Sequence, residues 1–350
     1  MAVPRPTPAP SGARIADPAL RPALALLAGW LVVTAVPLTG AGARRAAQSA
    51  WVGHFALVAI TGLALVLAGR GLRGVRASRP VVRVPPVAAE WVTLLLAWLP
   101  LVAVPALYAE LPLVAAGIAG SGPGLAAMHD AAAIRWELAV FGPLLDGSPA
   151  VVLARRAPWT PLSEVLHLAY LAYYVIIYVP PALLWWEARR RGGAGTRVAI
   201  TGATDPQGAF TVSAFTVLLA FLLCYAVFVV FPVQGPWYTW ATGGPDGLPL
   251  TGWVRAFVQG LLVAGSSRGT AFPSSHVAVS VAQTVVLARV APRLAWVVGP
   301  ATALLALGAV YGGYHYGVDA LAGAVVGAAA GFAGPRLLFA ARAFSTRADR

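Results

Sequence analysis

Eight apolar runs divide this chain, and they limit what it can fold into more than any other feature. They cover Arg21 to Leu38, Val52 to Ala68, Trp91 to Ala109, Leu162 to Trp186, Ala209 to Phe231, Phe272 to Val290, Leu294 to Gly313 and Val318 to Ala340. A helix needs about 20 such residues to cross a bilayer, where no water is present to satisfy an open backbone. Composition agrees: 59% of residues are hydrophobic, 11% are charged and the mean hydropathy is +0.76, whereas a soluble domain is about one quarter charged. The expected fold is all-α, a polytopic membrane helix bundle of about eight transmembrane helices. Residues 1–22 read as a Pro-rich disordered tail, 23–87 as two N-terminal helices, 88–340 as a six-helix core and 341–350 as a second tail.

All 25 basic residues are arginine, which excludes lysine Schiff bases and phosphate-loop lysines. A single cysteine, Cys224, excludes an intramolecular disulfide and a thiolate metal cage. The net charge of +13 would suggest nucleic acid in a soluble protein, but here the arginines act as topology signals. With both termini cytoplasmic, every arginine except Arg44, Arg45, Arg135, Arg155, Arg156, Arg255 and Arg268 falls on the inner side. The first run ends in Ala41-Gly42-Ala43, which resembles a cleavage site, and it reads as an uncleaved anchor. Between Glu110 and Pro161 the stretch Ala131 to Leu145 is amphipathic, with Ile134, Leu138, Phe141 and Leu145 on one side, and it is expected to lie at the interface.

Polar residues within or beside apolar spans are expensive, so each is a functional candidate by default. In Gly269-Thr-Ala-Phe-Pro-Ser-Ser-His276 a proline and two serines precede an apolar helix, so Ser274 or Ser275 is the expected N-cap. Such a helix start carries about half a positive charge and suits a phosphate, with His276 in its first turn. His276, Ser280 and Gln283 recur at i, i+4 and i+7 as one polar stripe. In Tyr311-Gly-Gly-Tyr-His315-Tyr-Gly-Val-Asp319, His and Asp four apart share a helical face. The carboxylate is expected to accept the imidazole Nδ1–H and leave Nε2 as a nucleophile or base. Gly323, Gly327 and Gly331 follow at spacing four and predict close helix packing. By the arginine distribution both motifs open on the outer side.

The segments Phe272-Pro-Ser-Ser-His276 and Tyr311-Gly-Gly-Tyr-His315-Tyr-Gly-Val-Asp319-Ala-Leu-Ala-Gly323 resemble the second and third signature motifs of the type 2 phosphatidic acid phosphatase superfamily, in order and in separation. Within it the chain is most similar to the branch containing the fungal inositol phosphorylceramide synthases. The resemblance covers residues 160–331 and implies a six-helix phosphatase-like core. In it His315 attacks phosphorus to form a phosphohistidine, Asp319 orients His315, and His276 protonates the leaving alkoxide and then activates the acceptor. The resemblance implies a metal-independent enzyme of the cell membrane, without cofactor, whose active site is extracytoplasmic. Its substrate would be a phospholipid-type or polyprenyl-type lipid phosphate, and its surroundings membrane lipids rather than nucleic acid. The acceptor would be water or a polyol such as inositol.

Two departures accompany that match. Phosphatases of the superfamily carry a Lys and an Arg before a Pro in a first motif, and an Arg seven residues ahead of the nucleophilic His. Here the latter place is Gly308, followed by Ala309, and Phe231-Pro-Val-Gln-Gly-Pro-Trp-Tyr238 resembles instead the Pro- and aromatic-rich stretch of the inositol phosphotransferase branch. The phosphorane charge still needs countering, and one such contact is typically worth about 3 kcal/mol. Arg268 and Arg255 are therefore the candidate phosphate ligands beside Ser274 and Ser275, ahead of Arg155 and Arg156.

Other polar residues have plainer readings. Glu164 and His167 form one Glu-x-x-His, but a di-iron bundle needs two, so they read as packing. His54 and His129 lack polar partners in register and read as interfacial. Trp237, Tyr238 and Trp240 fit an aromatic belt. Asp130 and Asp146 read as loop acids, with acceptor binding as the functional alternative. A proton-relay transporter would spread ionisable groups through the membrane depth, whereas here they keep to the outer edge, which favours an enzyme.

Overall fold

The computed structural model describes residues 20–38, 48–73, 86–119, 129–191, 201–239 and 248–348. Helices follow the apolar runs: α1 (Arg21–Leu38), α2 (Gln48–Arg73), α3 (Pro86–Val102) and α4 (Val104–Ala119) come first. The middle of the chain forms α5 (Asp130–Leu145), α6 (Pro149–Arg156), α7 (Thr160–Arg191), α8 (Pro206–Val230) and the single turn α9 (Pro236–Thr239). The last third forms α10 (Trp253–Gly265), α11 (Ser275–Val290), α12 (Pro292–Tyr311) and α13 (Gly317–Ala348). The fold is an all-α polytopic bundle. Residues 1–19 of the expected N-terminal tail lie outside the described residues, as do Arg76, Arg79 and Arg83 of the second connection and Arg197 of the fourth.

Among the described residues, six stretches are long and apolar enough to cross a membrane: Arg21–Leu38, Glu90–Ile118, Thr160–Arg190, Pro206–Val230, Pro292–Tyr311 and Gly317–Ala343. The other two expected runs form helices with shorter apolar parts, Val52–Leu67 and Ser275–Val290. At 1.5 Å per residue α11 rises about 24 Å, because Phe272, Pro273 and Ser274 belong to the turn that caps it. The third run was expected to stop at Ala109, yet the helix continues to Ala119 with Glu110 inside it. Its carboxylate is satisfied there by His54, whose Nδ1 lies 2.8 Å from Glu110 Oε2 while Nε2 reaches Leu31 O at 3.1 Å. His54 is thus 1% exposed and not interfacial, a correction that follows from a partner 56 residues away.

α5 and α6 form one bent pair, turning by 41° at their break. On α5, Ala133, Ile134 and Phe141 pack against Val233 and Tyr316, while Leu138 and Leu144 remain exposed. The centre of the bundle is α8, which carries α1, α3, α4, α7, α11 and α13 around it. α13 lies tightly on α11: a Cβ at Gly323 would strike Ser274 O and one at Gly327 would strike Ala278 O. Close backbone approach at small residues is how membrane helices gain dispersion contacts. It also fixes the start of α11 against the start of α13.

Candidate active site

The two histidine motifs meet where α11 and α13 begin. Ser274 is the N-cap of α11, its Oγ accepting from Val277 N, and its own N–H donates to Asp319 O at 2.9 Å. That backbone bond ties the two motifs together. The rings of His276 and His315 lie 5.7 Å apart. Tyr170 of α7 stacks on His276 at 4.9 Å between centroids, and its hydroxyl shares a 3.2 Å hydrogen bond with His276 Nε2. Tyr173, one turn along, packs on the same imidazole.

His315 does not stand on a helix, contrary to expectation. It occupies the tight turn between α12 and α13, where its N–H and that of Tyr314 both donate to Ala309 O and Gly313 takes a φ of 73°. Its Nδ1 lies 3.0 Å from Ala271 O, and a carbonyl can only accept, so Nδ1 carries a proton and, in the neutral ring, Nε2 keeps the lone pair. Asp319 was expected to be that acceptor. Its Oδ2 instead takes the N–H of Tyr316 at 2.8 Å and stands 3.6 Å from His315 Nδ1. The carboxylate therefore acts on the imidazole by charge at close range, while the tautomer is set by the backbone.

The imidazoles open on a cleft of about 450 Å³. Its walls come from Tyr108 on α4, Tyr170 on α7, Leu262 on α10, Ser266, Ser267, Thr270 and Ala271 of the 266–271 loop, Ser275, and Gln234, Trp237, Tyr238 and Tyr314. Trp237 and Tyr238, expected to serve only as an aromatic belt, line the site; Trp240 lies outside the described residues. Apart from the two histidines, none of these lining residues is basic. Arg268 is exposed, with its guanidinium 5.1 Å over the Tyr238 ring. Arg255, on α10, bonds to Gln259 and does not line the cleft. Arg155 and Arg156 are exposed at the end of α6.

The structure also gives a reason for the missing arginine ahead of His315. A Cβ at Gly308 would collide with Leu166 O, so α7 fills the space such a side chain would need. On its next turn α7 presents Tyr170, stacked between His276 and Tyr314.

Glu137 was not singled out by the sequence reading. Buried on α5, it accepts from Gly317 N at 3.1 Å, Val318 N at 3.0 Å and Ser148 Oγ at 2.7 Å, and so caps the start of α13 directly after His315. Asp130, two turns earlier on the same face, accepts from Gln234 N and Gly235 N. The sequence signal was the i, i+7 pair of acids on an amphipathic stretch. Asp146 is the left-handed C-cap of α5. Glu164 caps α10 through Val254 N, and His167 Nδ1 bonds to Ser163 O at 2.6 Å. His129 packs on Phe231. Tyr316 shares a hydrogen bond with Thr239 Oγ1; burial raises its phenol above the ordinary value, which keeps it neutral.

Among known proteins, a family model described as the PAP2 superfamily matches residues 144–333. No curated protein and no solved structure matches the chain.

Proposed function

The chain belongs to the PAP2 superfamily of phosphatase-type enzymes, and from that premise we propose that it is an integral-membrane lipid phosphatase or phosphotransferase working through His315. The observation that carries this reading is the contact of His315 Nδ1 with Ala271 O, in which Nδ1 donates and the neutral ring keeps the Nε2 lone pair for phosphorus. In the first step that lone pair forms the N–P bond as the P–O bond to the lipid breaks, and the departing alkoxide takes a proton from His276. In the second step an acceptor hydroxyl attacks the phosphohistidine, His276 takes its proton, and His315 is released. Asp319, 3.6 Å from Nδ1, counters the positive charge that develops on the ring. Ser275 and Arg268, the latter above the Tyr238 ring at the cleft wall, are the proposed phosphate contacts, and Ser274 holds the helix start. The proposed site faces the extracytoplasmic side of the cell membrane, a reading supported by the arginine distribution.

A second reading has its own support. Gln234, Trp237, Tyr238 and Ser266 line the same cleft, and hydroxyl, amide and flat aromatic groups suit a polyol acceptor of the inositol phosphotransferase kind better than water alone.

The test is purified protein in lipid nanodiscs with a panel of lipid phosphates, followed for free phosphate and, with inositol added, for transfer. His315→Ala and His276→Ala are each expected to abolish turnover in a folded protein, since acid–base catalysis alone is typically worth 10² to 10⁴. An acid-labile, base-stable phosphoprotein should form in the wild type and be absent from His315→Ala. Turnover by His315→Ala near the wild-type rate would overturn the mechanism.

A further inference from the structure

We propose that Tyr108, on α4 and outside the matched residues 144–333, is a positioning residue for His315. It would hold the 266–271 loop so that Ala271 O keeps the imidazole in its Nδ1–H form. The hydrogen bonds around it form a closed set. Thr270 Oγ1 donates its one proton to Ser267 O at 2.6 Å. The 2.8 Å bond between Tyr108 OH and Thr270 Oγ1 therefore has the phenol as donor, and the phenol oxygen in turn accepts from Ser267 N at 3.1 Å. Each partner has one role: were Thr270 Oγ1 to donate to the phenol instead, Ser267 O would face an oxygen that offers it no proton.

The next residue transmits this order to the site. Ala271 is fixed on both sides: its N–H donates to Val233 O at 2.9 Å and its carbonyl accepts from His315 Nδ1 at 3.0 Å. Tyr108 is itself held from the N-terminal side. Two residues further on α4, Glu110 pairs with His54 of α2 at 2.8 Å, His54 reaches Leu31 O of α1, and Tyr225 OH donates to Val104 O. The helices preceding the matched region thereby acquire a task at the active site.

The kinetic part of this inference rests on His315 being the nucleophile; the tautomer part does not. The experiment uses the full chain in nanodiscs with ¹⁵N-labelled histidine, at about pH 8, above the ordinary imidazole range. The His315 resonances are identified by their loss in His315→Gln. The wild type should show the Nδ1–H tautomer. Tyr108→Phe and Thr270→Val, each lacking one hydroxyl, should show a mixture with the Nε2–H form, and Thr270→Ser should behave as wild type. On a turned-over lipid phosphate, Tyr108→Phe should lower kcat by about tenfold to a hundredfold, the scale of small misplacements, with KM within about twofold. A wild-type His315 spectrum in both Tyr108→Phe and Thr270→Val would overturn the proposal. Absence of any turnover by the wild type would sink the proposed function while the spectra still decide the role of Tyr108.

Discussion

On the proposed mechanism a phosphoryl group at His315 would lie among hydroxyls, aromatic rings and helix-start amides, with no arginine among the residues that line the cleft. Half a unit of charge from a helix N-terminus is a weak counter to a dianion near an apolar medium, so a rim arginine matters. Arg268 is the proposed group for that part; it lies over the face of Tyr238, whose ring lines the cleft and whose hydroxyl bonds to Ser266 at 2.5 Å. Arg268→Gln is expected to depress turnover at least tenfold and Arg268→Lys to recover part of it, because a point charge does not grip two oxygens side by side. Arg255 turns to Gln259 on its own helix, so Arg255→Gln should stay near wild type. Steady-state rates of the three variants check this, and the reverse order would move the phosphate site to α10.

At the scale of elements, several acids among the described residues serve helix starts and the turns before them. Glu137 holds the start of α13, Glu164 that of α10, Asp205 that of α8 through Gly208 N, and Asp130 the turn before α9. Backbone N–H groups at a helix start have no partner within the helix, and in an apolar setting a carboxylate answers that need with two acceptor oxygens. Glu187 does similar work for the turn at Thr201. α12 shows the other constraint, close packing. Gly308 abuts the backbone of Leu166, so Gly308→Ala should destabilise the protein by about 1–3 kcal/mol, the usual range for overpacking. Gly308→Arg, which would restore the phosphatase pattern, should do more damage and give no gain in rate. Thermal unfolding in detergent checks both, and a faster, equally stable Gly308→Arg would contradict the packing argument.

For the whole molecule, the arginine distribution predicts an orientation that labelling can check. In a Cys224→Ala background, Thr251→Cys should react with an impermeant maleimide from outside and Thr204→Cys only from the cytoplasm; reversal of both would put the chemistry on the inner face. Hydropathy by itself determined the all-α membrane bundle, since a backbone in lipid must satisfy itself locally and its span lengths show directly in the sequence. Local pattern likewise marked Ser274 or Ser275 as the N-cap, the glycine face of α13, and His276 and His315 as the residues to bring together. The rest depended on contacts far apart in the chain. No local rule pairs His54 with Glu110, puts Ala271 O rather than Asp319 on His315 Nδ1, or sends Glu137 to the start of α13 from 180 residues upstream. The sequence also showed that Gly308 is not an arginine, but only the packing of α7 against α12 explains it. Periodicity and capping act within a few residues and can be read in order along the chain. The partner of a buried polar atom is chosen by which helices touch, and that is decided only once the bundle has closed.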